Sequence, residues 1–350
     1  MSYRPESVDH GSWDALIGIV WRIMATKVDI IGDIVAAMKA GAPLARRTEL
    51  HGRWGLRVVG DAGAGVHVVL EGAAWMLPPL SPVPVELGAG DLVFAANGDG
   101  YALADHPDTP LADVAPAAPK ETWLTPQPIV GRRPSAVLLC GAYSLDRVRP
   151  HPLIAQLPAI IHVPARTAEG ESLRPVIELL GAEVPRDEPG FSAAVPALLD
   201  LLLVYVLRAW YARQADQGLP GWAQALRDPA IVTALSQIQR WPAKPWTVAA
   251  LATEAAMSRT AFARQFSRLV GESPLAYLTR WRMMLSARLL RETDLSLDAI
   301  AARVGYGSAF AFSKAFSRAW GSPPDRYRRA ERAEQTLDAR DERREAAAGL

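Results

Sequence analysis

The chain has little cysteine: Cys140 is the only one in 350 residues. No intramolecular disulfide can form, and without a CxxC pair or a Cys/His cluster no structural zinc site is spelled out. Such a chain is expected in a reducing cytoplasm. Secretion is not expected either. The first fourteen residues hold Arg4, Glu6, Asp9 and Asp14, acidic on balance where an export signal is basic, and no small-residue cleavage site follows. Long hydrophobic runs are absent. The most apolar stretch, Ala193 to Leu207, contains Pro196 and Asp200 and falls about five residues short of the length that crosses a hydrocarbon core. It reads as a buried or partner-facing helix, and no membrane partner is expected. With 50% hydrophobic and 21% charged residues, a mainly disordered or fibrous chain is excluded.

Charge of one sign is scarce overall, with a formal net of +1, but the two signs are not evenly mixed. Residues 230–330 carry fifteen Lys and Arg against six Asp and Glu, a surplus of nine positive charges. Residues 1–229 carry nineteen against twenty-five, and the tail from Glu331 four against six. A basic segment of this size is the electrostatic footprint of a nucleic-acid binder; a merely solvated basic face is the bland alternative.

The length suggests roughly two domains. Residues 1–27 read as an N-terminal extension lacking strand or helix signal, with Met24 as the physiological start, and Val28 to Met38 as an amphipathic opening helix. From about residue 50 to 145, Gly, Pro and Asn punctuate short apolar or alternating runs, the pattern of strands. Candidate strands are Trp54–Val59, Val66–Leu70, Trp75–Leu77, Pro84–Leu87, Asp91–Ala95, Tyr101–Leu103 and Ala136–Cys140, which suggest a barrel or double-sheet roll. Helical periodicity takes over beyond Pro152, over Ser172–Leu180 and Phe191–Arg213. Apolar residues circle so much of the second helix that it is expected to carry a self-association surface including Leu202 and Tyr205. Gln217 to Gly221 reads as a hinge, and Asp228-Pro229 as an N-cap followed by proline at the first helical position.

An internal repeat occupies the basic segment. Phe262, Arg264, Phe266, Ser267, Arg268, Gly271, Pro274 and Tyr277 recur fifty positions later as Phe312, Lys314, Phe316, Ser317, Arg318, Gly321, Pro324 and Tyr327. Upstream the offset is forty-nine: Leu251-Ala252 pairs with Ile300-Ala301 and Ala256 with Gly305, so the second copy has one extra residue in its turn. Each copy reads as helix, turn, helix. In the first, Val248, Leu251, Ala252 and Ala255 form an apolar stripe, Met257-Ser258 supplies the turn and the N-cap, and Phe262, Phe266 and Leu269 form the buried face of the second helix. Its opposite face carries Thr260, Ala263, Arg264 and Ser267. Small residues around one Arg let a helix enter the major groove and touch base edges, which makes the unit a helix-turn-helix. The four repeat phenylalanines could stack on single strands, but their spacing is that of core residues. Pro274 to Arg291 reads as one long helix that fixes the separation of two groove readers, for which successive major grooves lie about 34 Å apart. Arg264 is expected to discriminate bases, while Arg282, on the connecting helix, is expected to bind phosphate.

On these residues, SRTAFARQFSRLVGESPLAYLTRWRMMLSARLL from Ser258 and IAARVGYGSAFAFSKAFSRAWGSPPDRYR from Ile300, the chain resembles the AraC/XylS family of transcription regulators over roughly residues 230–329. The resemblance implies an α+β chain: an N-terminal cupin-like β-barrel followed by helices, then a C-terminal all-α domain of seven helices with two helix-turn-helix units. It divides the chain into a cupin-like sensor domain at 28–165, a helical linker and dimerisation segment at 166–220, a DNA-binding domain at 221–330 and a charged, disordered tail at 331–350. DNA-contacting residues are then Arg259, Thr260, Ala263, Arg264, Arg268 and Arg282, with Ala309, Phe310, Lys314 and Arg318 in the second copy. Phe310 departs from the family, standing where a small or polar residue is usual; it either presses on a thymine methyl or is drawn into the core. Partners implied are double-stranded DNA, a second copy of the chain, an unidentified small-molecule effector and RNA polymerase, with no cofactor.

The strand-rich region, with Leu139-Cys140-Gly141 and His151-Pro152-Leu153 after it, is similar to the cupin-type sensor domain of one subgroup. A metal-binding cupin needs about three His and one Glu converging in the barrel, whereas only His67 and Glu71 fall near a suitable first motif and Tyr101 stands where a second-motif His is expected. No metal site and no catalytic residue are therefore assigned. The alternative is a metal-dependent cupin enzyme with a helical appendage. A ligand pocket is expected from Trp54, His67, Trp75, Phe94 and Tyr101. Cys140 reads either as a buried small hydrophobe or as a sensor thiol, with Arg132, Arg133 and Arg147 near in sequence.

Overall fold

The computed structural model describes residues 29–333 apart from 40, 60–62, 80–82, 97–99, 115–132, 144, 146–149 and 187. The expected extension 1–27, Met24, Arg132, Arg147 and residues 334–350 of the tail lie outside the described residues.

Helix α1 (Ile30–Met38) opens the fold, its first turn capped by the Asp29 carboxylate, which accepts from the Gly32 N–H. Ten strands follow: β1 (Leu44–Leu50), β2 (Gly55–Val58), β3 (Ala64–Gly72), β4 (Ala74–Leu77), β5 (Val85–Leu87), β6 (Leu92–Ala95), β7 (Tyr101–Ala104), β8 (Ala112–Val114), β9 (Ala136–Tyr143) and β10 (Ile160–Val163). They form two five-stranded sheets, in the orders β1-β9-β3-β6-β10 and β5-β4-β7-β2-β8. Leu50, Val69, Val93 and Leu138 from the first sheet meet Met76, Leu87 and Leu103 from the second in one core between them. The period of two then sends Val66, Val68, Phe94 and Leu139 to the other face of the first sheet, so that sheet is covered on both sides. All seven strands expected from the sequence are present. The three that the pattern did not reveal, β1, β8 and β10, lie at sheet edges.

Against the outer face pack α3 (Ala168–Glu183) and α4 (Phe191–Asp216), after a short α2 (Pro152–Ala155). Contrary to the expectation that this stretch is too short, helix α4 with 26 residues is long and apolar enough to cross a membrane by length and composition alone, because it continues past Leu207, but Leu199, Leu202, Leu203, Val206 and Leu207 are buried in the same core as the sheet. That burial corrects the expected self-association surface: Leu202 is 0% exposed and belongs to the chain's own interior, and Tyr205 is half-buried against it. The exposed large hydrophobic residue of the helix is Leu201, at 42% exposure.

Seven helices follow the turn at 217–221: α5 (Trp222–Ala225), α6 (Pro229–Arg240), α7 (Val248–Glu254), α8 (Arg259–Val270), α9 (Pro274–Glu292), α10 (Leu297–Val304) and α11 (Ala309–Trp320), with 324–333 also helical. Asp228 caps α6 by accepting from the N–H groups of Ala230 and Ile231, as its position before Pro229 suggested. The apolar core of the first sheet continues into this region through Trp222, Leu235, Leu251, Phe262, Phe266, Tyr277 and Trp281. His151, fully buried, caps α2 and sets its ring 5.0 Å from that of Trp222 and 5.6 Å from that of Tyr277. Helix α1 is clipped to α4 by Lys39–Asp200 at 2.5 Å and Asp29–Arg208 at 3.1 Å. The buried Arg291 of α9 donates to the carbonyls of Ala37 and Lys39. The second half of the repeat has a core of its own, made of Met283, Ala287, Leu290, Ile300, Val304, Phe312, Phe316 and Trp320.

The two neighbours on α4 give a test. Leu202→Ala is expected to cost about 2 to 5 kcal/mol, whereas Leu201→Ala stays within about 0.5 kcal/mol of the parent. Urea denaturation of both variants would read the contrast, and equal losses would contradict the burial assigned to this helix.

Candidate nucleic-acid interface and sensor cavity

The two helix-turn-helix units are built alike down to the hydrogen bond. In the first, the turn between α7 and α8 is closed by Ala256 N–H to the Thr253 carbonyl and Met257 N–H to that of Ala252; in the second, Gly305 N–H bonds Ala302 and Tyr306 N–H bonds Ala301. The turn needs a left-handed residue, and the sequence alignment of Ala256 with Gly305 marks it: φ is +52° at Ala256 and +84° at Gly305. The extra residue of the second copy is Gly307, ahead of the cap. Ser258 and Ser308 cap α8 and α11 by accepting from Ala261 and Ala311, and Gly271 and Gly321 end them with φ of +90° and +71°. Phe262, Phe266, Phe312 and Phe316 are fully buried, so they are core and not stacking platforms.

On the outward side of α8, Arg259, Thr260, Arg264 and Arg268 are exposed and Ala263 is half-buried. Among the described residues Arg259, Arg264, Arg268 and Lys314 make no hydrogen bond or ion pair, so their charges are uncompensated. Helix α11 presents Phe310, Lys314 and Arg318, with Ala309 half-buried beside them. Phe310 is 80% exposed, which removes the reading that draws it into the core. Gln265 of α8 donates to the Asp228 carboxylate, fixing the reading helix to the start of α6.

Arg282 departs from its expected role. Its guanidinium donates to the carbonyls of Pro242 at 2.8 Å and Lys244 at 3.1 Å and lies over the Tyr306 ring, 5.9 Å from its centroid. A side chain committed to the loop between α6 and α7 and to the second turn is a brace within the protein, not a group aimed at phosphate.

The sensor half holds a cavity of about 100 Å³ between the sheets, walled by Leu56, Val58, Leu103, Val114 and Leu138 and reached by Arg46, Thr48, His67, Tyr101 and Cys140. Of the five expected pocket residues, His67 and Tyr101 line it. Trp54 is buried in the same inter-sheet core without reaching the cavity, while Phe94 lies on the opposite face of the first sheet, edge-on to Tyr143. Trp75 sits between the inward Ala74 and Met76 and so faces away. His67 Nδ1 lies 3.1 Å from Cys140 Sγ and its Nε2 2.6 Å from the Tyr101 hydroxyl. Burial pushes the imidazole down to about 4 and the thiol up to about 12, against a smaller opposing pull on the thiol from Thr48 and Arg46. Glu71 is exposed beyond an irregularity in β3 and pairs with Arg47, so the two residues near the cupin metal motif do not converge.

A model described as a cupin matches residues 29–212, and one described as a helix-turn-helix domain matches 251–330. A putative AraC-like transcription regulator of Streptomyces lividans is 33% identical over 303 residues, 86% of this chain and 98% of that protein. The HTH-type transcriptional regulator AlkR of Acinetobacter baylyi is 31% identical over 291 residues, 79% of this chain and 91% of that one. Among solved structures, the DNA-binding domain of AdpA, a global transcriptional factor held in complex with a target DNA, is 36% identical, covers 31% of this chain and 97% of its own, and has a TM-score of 0.30. A cupin domain followed by paired helix-turn-helix units defines a class of DNA-binding regulators. Within it, the chain belongs to the AraC-like transcription regulators. It is a regulator of transcription and not an enzyme, which disposes of the metal-cupin alternative.

The two turns separate a tolerated exchange from a damaging one. A Cβ on Gly305 would lie 2.8 Å from the Ala243 backbone and from the Arg282 guanidinium, so Gly305→Ala is expected to cost about 2 kcal/mol or more. Ala256→Gly, which relieves a left-handed alanine while adding chain entropy, should change stability by less than about 1 kcal/mol. Arg282→Ala should lower the melting temperature as well as DNA affinity; an unchanged melting temperature would contradict the bracing role.

Proposed function

We propose that the protein is a sequence-specific regulator that reads two major-groove segments with α8 and α11 and adjusts that reading to a small effector held in the sensor cavity. The observation that carries this is the set of uncompensated cations, Arg259, Arg264, Arg268 and Lys314, on the outward faces of two helices built to one plan. Arg264, flanked by Thr260 and the small Ala263, is the base reader. Arg259 and Arg268, at either end of the same face, are phosphate anchors. In the second unit Lys314 is the reader and Arg318 an anchor, while Ala309 allows close approach and Phe310 lies against a thymine methyl. The regulator works in the cytoplasm as a homodimer, with RNA polymerase as its further partner. Leu201 of α4 and Leu179 of α3, both exposed, support self-association through these helices.

Duplexes selected from a random library by the full-length protein provide the test. Affinity should fall steeply with salt as phosphate-bound counterions are released. Arg264→Ala should remove about 1 to 3 kcal/mol of discrimination at one base pair, whereas Arg268→Ala should weaken all sequences alike and lower the salt slope by about one. Salt-independent affinity, or an Arg264→Ala variant with its base ranking intact, would contradict the proposal.

A further inference from the structure

We infer that β1 is a surface on which two copies of this chain pair, edge to edge and antiparallel, about a twofold axis at Thr48. This rests on the homodimer reading and names a strand contact beyond the exposed leucines of α3 and α4. Among the described residues β1 has a neighbouring strand on one side only, β9. Every second N–H and C=O along it therefore faces away from the sheet. The other three sheet ends are shorter: β10 has four residues and β5 and β8 three each, against seven in β1. Edges are ordinarily kept short because a long one templates pairing with another chain.

The order of side chains in β1, Leu44-Ala45-Arg46-Arg47-Thr48-Glu49-Leu50, selects the strand that fits. When a strand pairs with its own copy, one residue meets itself and the others meet symmetrically about it. Centred on Arg46, Arg47 or Glu49, the axis sets like charges face to face. Centred toward either end, it leaves little overlap. Centred on Thr48, it sets Thr48 against the partner's Thr48 and Arg47 against the partner's Glu49 on each side of the axis. Threonine pairs and opposite charges are favourable cross-strand neighbours, whereas like charges directly opposite are destabilising. Within one copy Arg47 already pairs with Glu49 and reaches Glu71 at 3.7 Å. The guanidinium is thus held on the face of the sheet where the partner's carboxylate arrives.

The surroundings of the strand fit the same register. A groove of about 530 Å³ lies between β1 and the start of α4, lined by Pro43, Leu44, Phe191, Val195 and Pro196 among others. With Thr48 on the axis, Arg46 stands opposite the partner's Leu50, so the chain that follows Leu50 in the partner runs on past Ala45 and Leu44 and covers this groove. Leu44, 45% exposed in the single chain, is shielded by that overlap. Arg46 and Thr48 also line the sensor cavity. The pairing therefore brings the two cavities to either side of one axis, with the paired strands between them.

The test uses the full-length protein and sedimentation velocity, with circular dichroism and thermal melting to confirm that each variant is folded. Arg47→Glu makes the edge acidic at both positions and Glu49→Arg makes it basic at both, so each variant meets its like in a second copy. Either alone is expected to weaken dimerisation about tenfold or more. Mixed in equal amounts, the two should recover the wild-type dimer, because every charge then meets its opposite. The double variant Arg47→Glu/Glu49→Arg should dimerise as the wild type does. A loss caused by damage inside one copy would not be repaired by mixing. A wild-type dimer that neither single reversal weakens, or a loss that mixing fails to restore, would overturn the inference. So would a dimer abolished by Leu201→Glu on α4 and untouched by both reversals. A wild-type protein that stays monomeric would overturn the homodimer reading together with it, which keeps the two failures distinguishable.

Discussion

The structure depends on one apolar core that does not stop at the edge of the sensor. Val66, Phe94 and Leu139 on the outer face of the first sheet share a cluster with Leu199 and Val206 of α4, and that cluster runs on to Trp222, Phe262 and Tyr277 of the reader. Because the first sheet is buried on both faces, its central strands are apolar at nearly every position, and the polar pair His67 and Cys140 is accommodated by their contact with each other and by the Tyr101 hydroxyl and Thr48 beside them. Helix α4 carries the same burden, with apolar residues around most of its circumference. Polar links then orient what the core holds: Arg291 reaches two carbonyls at the end of α1, and Lys39 and Asp29 fasten that helix to α4.

The formal charge of the basic segment differs from the charge it offers. Arg280 is paired with Glu272 and Arg288 with Glu292, Arg291 is buried, and Arg282 is spent on backbone carbonyls. Two of the four arginines of the connecting helix are thus paired with carboxylates and the other two are engaged by backbone carbonyls. Unpaired cations remain on the outward faces of α8 and α11, at Arg259, Arg264, Arg268 and Lys314, and Arg240, Arg303, Arg326 and Arg329 add to the positive charge of the segment.

The sequence made the reader legible because its rules are local. Caps at Ser258, Ser308 and Asp228, left-handed turns at Ala256 and Gly305, and a repeat with one inserted residue all leave marks within a few positions. Central strands were legible for a similar reason, since burial on both faces leaves continuous apolar runs. Edge strands leave weaker ones: β1 reads Leu-Ala-Arg-Arg-Thr-Glu-Leu, because a strand with one free side can keep charges. Long-range placement was the hidden part. Nothing near Arg282 in the chain announces the carbonyls of Pro242 and Lys244, and a helix as apolar as α4 does not say which of Leu201 and Leu202 meets its own chain. The pocket was half legible because alternation separates Trp75 from Met76 only once the facing sheet is known. Pairing of Cys140 with His67 requires a register between strands seventy-three residues apart.

The separate core of the second helix-turn-helix means that the boundaries of folding and of function do not coincide. Leu278, Trp281 and Met284 of α9 belong to the interior shared with the sensor, whereas Met283, Ala287 and Leu290 of the same helix belong to the second unit. The seam between the two apolar cores therefore lies along one helix inside the DNA-binding domain and not at the glycine hinge before it. The first of the outward helices shares its packing with the sensor, while the second packs on a core of its own.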